Sequence, residues 1–279
     1  MKENSSLPNY KFELLGALVL FLGAFVPLFI VSLFNVVLMF VLKVNYQYND
    51  LFLLISDVII WVGAIFAFDK LICRPQTHKK LNFNFSTQHF STYLLMFPMM
   101  FGMMLIAEFI TSQIPITGPF FGEMYRFFSK MMTDLTKDTS VMILMAVIFA
   151  PIFEEIVFRG IIQKGLINNG VKPMNAIWIS AFFFGLIHGN PWQFVGAVLL
   201  GFVLGLVYYK TKSLLMPILL HAFNNGLSAI LLYYGNTESF NETFQVSEYL
   251  ILGIGIAIFG VFYFLFMKKF GKENSEISL

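Results

Sequence analysis

Apolar runs long enough to cross a bilayer recur from one end of the chain to the other, and that leaves few folds open. A spanning helix needs about 20 predominantly apolar residues to cover ~30 Å of hydrocarbon. Eight candidates stand out: Leu14–Leu42, Leu51–Phe68, Thr92–Thr111, Val141–Phe158, Ala176–His188, Phe194–Tyr209, Leu214–Tyr234 and Tyr249–Met267. The first is over-long, which predicts tilt, a break near Pro27 or an interfacial end. The fourth is expected to run past Arg159 toward Asn168, and the fifth is too short to span. Composition agrees, with 58% hydrophobic and 12% charged residues and a mean hydropathy of +0.76; a soluble domain carries about 25% charged residues. A soluble enzyme, a disordered chain, a coiled coil and a secreted disulfide scaffold are thereby excluded. The single cysteine, Cys73, allows no internal disulfide. The sequence reads as an all-α fold, a polytopic membrane helix bundle of about eight transmembrane helices with no internal repeat.

Loop cations set the orientation of such a bundle. With the N-terminus inside, 14 Lys and Arg fall in inside segments and four, Lys43, Arg126, Lys130 and Lys137, fall outside. An N-in, C-in topology is therefore expected, and the outside loop 235–247 carries neither Lys nor Arg. The first apolar run is longer than the core of a signal peptide and lacks a small-residue cleavage pattern, so it is expected to stay as a membrane helix. In Phe120–Leu135, the residues Phe121, Met124, Tyr125, Phe128, Met131, Met132 and Leu135 recur at helical spacing, with Glu123, Arg126, Lys130 and Asp134 between them. This segment reads as an amphipathic interfacial helix, or equally as a surface helix packed over the bundle, and no chemistry is assigned to it. A net charge of +2 offers no basic face for nucleic acid.

Charged residues at bilayer depth are costly, so each is a candidate functional residue. They are Asp57, Glu108, Glu154, Glu155 and Arg159, with His188 and His221 beside them. Asp57 and Glu108 are expected to pair with other helices, and His78 and His89 to be solvated in a basic inside loop. Adjacent Glu154 and Glu155 repel each other, which favours a proton on one of them. Glu155 and Arg159 are i, i+4 and can pair. Glu154 points about 100° away and stays free to take a proton. A purely structural ion-pair network is an equal alternative. His188 ends the short fifth segment beside Gly189-Asn190-Pro191. Irregular backbone at depth needs protein or a water-filled cavity around it, so His188 is expected near water, although a lone histidine is more often a core residue. His221 and Asn225 share a helix face and can both donate to one small group, although interhelical hydrogen bonding is the commoner use. At ~1.5 Å per residue, Glu154, His188, His221 and Asn225 lie about 15, 20, 14 and 20 Å below the inner face. Three helices thus bring them to a similar level.

A carboxylate, two imidazoles and an amide in a sheltered cavity suit hydrolysis of an amide by water, with a general base and donors for the oxyanion. No Gly-x-Ser-x-Gly is present, and Cys73 falls in a basic loop. Glu154, His188 and His221 could equally form a zinc site with an open position, although no His-Glu-x-x-His occurs.

Taken in order, Glu154-Glu155-x-x-Phe158-Arg159, Phe184-x-x-x-His188 and His221-x-x-x-Asn225 resemble the CPBP family, the CAAX prenyl protease type II and bacteriocin-processing membrane proteins. The resemblance covers roughly Val141–Leu232. It implies that Glu154 activates water with help from His188, and that His221 and Asn225 form the oxyanion hole. Glu155 and Arg159 would hold the site in shape or engage the substrate. Catalysis in the family is glutamate-dependent, so neither a metal nor another cofactor is expected. No motif position is substituted, which favours an active member. The implied function is that of an intramembrane endopeptidase. Its expected partners are a peptide or membrane-protein substrate and the lipid bilayer, without nucleic acid. The alternative is a non-catalytic bacteriocin immunity or peptide-binding membrane protein. A transporter comes third, because the polar residues cluster in the C-terminal half and no inverted repeat is present. Richness in Phe, Ile, Asn and Lys suggests an AT-rich bacterial genome, hence a multi-pass protein of the bacterial plasma membrane. The final Glu276-Ile277-Ser278-Leu279 has no cysteine and is not expected to be prenylated. The expected organisation is 1–140 for N-terminal helices and the interfacial helix, 141–232 for the CPBP-like core, and 233–279 for the last span and tail.

Overall fold

The computed structural model describes residues 7–43, 50–135, 139–235, 237 and 239–276. All regular structure among them is helical. In chain order the helices are α1 (Leu14–Leu42), α2 (Asp50–Phe68), α3 (Phe90–Ser112), α4 (Phe121–Leu135), α5 (Ser140–Asn168), α6 (Pro173–Leu186), α7 (Pro191–Thr211), α8 (Leu215–Gly235), α9 (Phe240–Phe244) and α10 (Glu248–Glu276). Helix α2 runs on through a π-helical turn, Asp69–Cys73, into Arg74–Thr77. Among the described residues, seven helices are long and apolar enough to cross a bilayer: α1, α2, α3, α5, α7, α8 and α10. The short fifth candidate is α6, with 14 residues, and α5 does continue to Asn168. The chain is a polytopic helical membrane protein. Leu15, Phe21, Phe29 and Phe40 of α1 point outward, as lipid-facing side chains do.

Helix ends follow local chemistry. Asn190 caps α7 by accepting from Gln193 N at 2.9 Å, and Pro173 and Pro191 occupy first positions, where no N–H is needed. The His89 ring accepts from Ser91 N and caps α3. Of the outcomes expected for over-long α1, a break near Pro27 does not form; the helix is continuous through it. The reason is the neighbour, Gly63 of α2, where a Cβ would stand 2.7 Å from Pro27 Cγ. Without that Cβ, α2 packs directly on the proline and holds α1 in line.

Bare backbone also lets α3 and α10 meet. A Cβ on Gly102 would lie 2.5 Å from Phe259 N and 3.0 Å from the Gly255 carbonyl. Around this contact and the faces of α7 and α8, Met96, Met99, Met100, Val203, Leu204, Met216, Leu220 and Phe266 form the main core. Gly102→Val should therefore cost about 1–3 kcal/mol by overpacking. Gly253→Val, with open space around it, should cost little. Unfolding midpoints in a detergent-to-SDS titration check this, and equal midpoints for the two variants would contradict it.

The inner-face segment is tied down by polar contacts. Arg74 donates to Asp69 at 2.8 Å, and Leu81 N donates to the same carboxylate at 2.7 Å. Cys73 is buried within the α2 extension, not in a loop as the sequence suggested, because the helix runs on from Phe68 to Thr77, further than hydropathy indicates. His78 and His89 are exposed, as expected. Tyr10 donates to the Gly160 carbonyl, and burial pushes its phenol well above the usual tyrosine range, which keeps it a donor. Glu108 pairs with another helix as expected, accepting from Ser239 Oγ at 2.8 Å and Asn241 N at 3.0 Å at the start of α9. Helix α4 docks Phe121, Tyr125 and Phe128 around Trp192, with ring centroids 5.1–6.3 Å apart. Through these rings the segment rests against the start of α7. Lys2, Lys137 and the tail 277–279 lie outside the described residues, as do the side chains of Met131, Asp134 and Leu135.

Candidate active site

The site begins with a proline in a widened helix. Helix α5 alternates between α and π geometry, with π-helical runs at Ile143–Phe149 and Ile156–Gln163 around the α-helical Ala150–Glu155. In the first run the Ala150 N–H bonds the Met145 carbonyl, five residues back. The next residue is Pro151, which has no N–H, so the matching bond to the Ala146 carbonyl cannot form. Asn225 of α8 takes it instead, donating from Nδ2 at 2.7 Å. Local helix geometry thereby pins α8 to α5. π-Helical insertions of this kind are frequent at functional sites.

One turn further in, Glu155 is 0% exposed and its Oε1 accepts from two sides. Arg159 Nη1, i+4 on the same helix, donates at 2.7 Å. His221 Nδ1 of α8 lies 2.9 Å away. A carboxylate oxygen only accepts, so Nδ1 carries the hydrogen. Arg159 is also 0% exposed; its Nη2 donates to the Gly201 carbonyl at 3.1 Å, and its guanidinium lies 4.5 Å from the Phe184 ring centroid. Gln163, one turn on, donates to the Gly205 carbonyl at 2.8 Å. A Cβ on Gly201 would stand 3.1 Å from Arg159 Nη2, and one on Gly205 would stand 2.7 Å from Gln163 Oε1. The Gly201-x-x-x-Gly205 face of α7 is thus what admits this polar column. Gln163 and the glycine pair were missed in the sequence reading, although a small-x-x-x-small spacing was the signal that could have found them.

Glu154 differs from its neighbour. Its side chain is 13% exposed, and its Oε2 lies 3.9 Å from His221 Nε2, outside hydrogen-bond reach. His188 follows α6 on a turn closed by Gly189 at φ +68°, in the left-handed region that glycine enters freely. Its Nδ1 lies 2.9 Å from the Phe184 carbonyl. A carbonyl cannot donate, so Nδ1 holds the hydrogen and Nε2 is left as an acceptor in the neutral ring. The Phe184 ring stands edge-on to both imidazoles, 5.3 Å from His188 and 5.5 Å from His221 between centroids.

The structure therefore brings Glu154, Glu155, Arg159 and His221 together, with His188 joined through Phe184. Asn225 sits one turn from His221. One of its N–H groups is committed to Ala146, and its Oδ1 accepts from Asn224 at 2.9 Å. Asp57 departs from expectation. Among the described residues it makes no ion pair with another helix, although its helix α2 packs against Ala150–Glu155. Glu154, His188 and His221, the set a zinc ion would draw on, are not gathered into a metal-holding cluster; no three His, Cys, Asp or Glu side chains are, among the described residues.

A helical membrane bundle with carboxylates and imidazoles enclosed between α5, α6 and α8 defines the class of molecule. Residues 136–227, which contain all three motifs, match the family model described as Type II CAAX prenyl endopeptidase Rce1-like. Over 98 residues the chain is 31% identical to the membrane peptidase named YdiL of Bacillus subtilis (strain 168), covering 35% of this chain and 40% of that protein. Over 136 residues it is 27% identical to the membrane-embedded CAAX protease MroQ of Staphylococcus aureus (strain USA300), covering 47% and 54%. The chain thus spans about half the length of these relatives, or less. No solved structure matches it. These matches make residues 136–227 similar to the Type II CAAX prenyl endopeptidase family and to membrane peptidases.

Proposed function

We propose that the protein is a membrane-embedded endopeptidase that hydrolyses a peptide bond of a membrane-associated peptide or protein with water activated by Glu154. The observation that carries this is the division of labour between adjacent carboxylates. Glu155 is enclosed by Arg159 and His221, whereas Glu154 stays slightly exposed and faces an imidazole without bonding it. A committed carboxylate holds structure, and an uncommitted one beside it can take a proton.

The steps follow from the atoms. Glu154 takes a proton from water as the water oxygen attacks the substrate carbonyl. His188, anchored at Nδ1, orients that water through Nε2. The carbonyl oxygen becomes an oxyanion. His221 can donate to it from Nε2 only as an imidazolium, a form that Glu155 at Nδ1 stabilises. The second N–H of Asn225 is a further donor. When the C–N bond breaks, the proton held on Glu154 passes to the leaving amine, so water is divided between the two products. The family match and the names of the two relatives support a peptidase. A multi-pass, N-in and C-in placement in a bacterial plasma membrane fits the loop cations.

His188→Ala should lower kcat by about 100-fold with KM within a few-fold and an unchanged unfolding midpoint, since the ring's one bond is to its own helix. The assay is cleavage of hydrophobic leader-like peptides by the purified protein in lipid nanodiscs. Undiminished turnover in His188→Ala would remove that residue from the mechanism. A wild-type protein that binds the peptides and never cuts them would favour the non-catalytic, peptide-binding reading.

A further inference from the structure

We infer that Pro151 and Asn224 are positioning residues of this site: together they fix which way round the Asn225 side-chain amide sits, and so aim its uncommitted N–H at the oxyanion. The inference rests on the peptidase reading and deepens it. A side-chain amide has a donating and an accepting edge of almost the same shape, and its neighbours decide between the two orientations. At Asn225 both neighbours favour the same one. The Ala146 carbonyl of α5 can only accept, so the atom 2.7 Å from it is Nδ2. Oδ1 then faces away from Ala146 and accepts from Asn224 Nδ2 at 2.9 Å. Turned over, Asn225 would set Oδ1 against the Ala146 carbonyl, acceptor against acceptor, and would break the bond from Asn224.

The carbonyl is open to Asn225 because of Pro151, which is buried at the start of the short α-helical stretch that carries Glu154. In the π-helical run before it, N–H groups reach five residues back, as Ala150 does to Met145. Residue 151 is the one that would reach Ala146, and as proline it has no N–H. One backbone donor is thus withheld on α5 and one side-chain donor is added on α8, and both act on a single amide. With one N–H on Ala146 and Oδ1 on Asn224, the second N–H of Asn225 is left for the substrate, in the plane these two bonds fix and one turn along α8 from His221. A donor held in place beforehand costs no reorganisation when charge develops on the carbonyl oxygen. Neither Pro151 nor Asn224 belongs to the three motifs that mark the site.

The experiment measures cleavage of one peptide in nanodiscs by three variants: Asn224→Leu, which keeps the shape and drops the donor; Asn224→Gln, which keeps an amide; and Pro151→Ala, which returns an N–H to the Ala146 carbonyl. Asn224→Leu and Pro151→Ala should each lower kcat about fivefold with KM unchanged, the bias that one hydrogen bond supplies. Asn224→Gln should recover part of the loss. Pro151→Ala should also have an unfolding midpoint equal to or above that of wild type, since the helix gains a bond; a merely structural proline would not give a slower protein of undiminished stability. In an Asn225→Ala background, itself about 100-fold slower, neither substitution should slow turnover further. A further loss there would overturn the inference while leaving the peptidase reading intact, and so would wild-type turnover in both single variants. A second arm reads the amide itself by NMR with isotope-labelled asparagine. The Asn225 side-chain signals are those absent from Asn225→Ala, and the shift difference between the two amide protons should shrink in Asn224→Leu and in Pro151→Ala. An unchanged difference in both variants would overturn the inference. If the wild type cleaves nothing, the peptidase reading fails, and the NMR arm still decides whether the two residues orient the amide.

Discussion

Arg159→Met should unfold with roughly 3–5 kcal/mol less resistance than wild type, one of the largest losses any single substitution in this chain can produce. Arg159 is among the largest fully buried side chains, and it joins three elements at once. Its guanidinium holds Glu155 on its own helix, the Gly201 carbonyl on α7 and the Phe184 ring on α6. Methionine fills much of the volume, so packing alone changes little. The loss comes from leaving Glu155 buried without its cation, when its Oε2 already has no donor among the described residues. Combining Arg159→Met with Glu155→Gln should recover a large part of the stability, because the orphaned charge is then gone. Unfolding midpoints of the two single variants and the double variant in SDS titration form the cycle. A double variant no more stable than Arg159→Met would show that packing, not charge, dominates.

The parts of the site that obey simple helical periodicity were legible in the sequence. The Glu155–Arg159 pair follows from i, i+4 spacing, and it forms at 2.7 Å. Counting depth from the inner lysines put Glu154 and His221 at one level, and the two stand 3.9 Å apart. Both lie on helices that run in line with the count. What was not legible depends on departures from that periodicity or on helix rotation. Nothing in the local sequence announces the π-helical runs of α5, so Asn225 could not be assigned to the Ala146 carbonyl that Pro151 leaves without a donor. The sequence reading aimed His221 and Asn225 together at one small group. In the structure each has one donor committed inside the protein first. Asp57 was read as a partner for some other helix, and among the described residues no ion pair joins it to one. Likewise, a break at Pro27 was reasonable until Gly63 of α2 was seen to pack on the proline ring.

Glu154→Gln should be nearly inert as a peptidase while folding like wild type. The two side chains have the same shape, and Glu154 makes no close ion pair that the amide would break; its contact with His221 Nε2 is 3.9 Å long. Glutamine cannot accept a proton from water, so the general-base contribution, about 100- to 10,000-fold, should vanish from kcat. Glu155→Gln differs in kind, because it disturbs Arg159 and His221 and should lower stability as well as rate. The comparison of Glu154→Gln with Glu155→Gln therefore separates the carboxylate that does chemistry from the one that holds the site. The direct measurement is single-turnover cleavage of one bound peptide by wild type and Glu154→Gln in the same nanodiscs, with peptide affinity and unfolding midpoint recorded alongside. Retained binding and an unchanged midpoint with at least a 100-fold slower cleavage is the expected result. Cleavage by Glu154→Gln at the wild-type rate would contradict the assignment of Glu154 as the base.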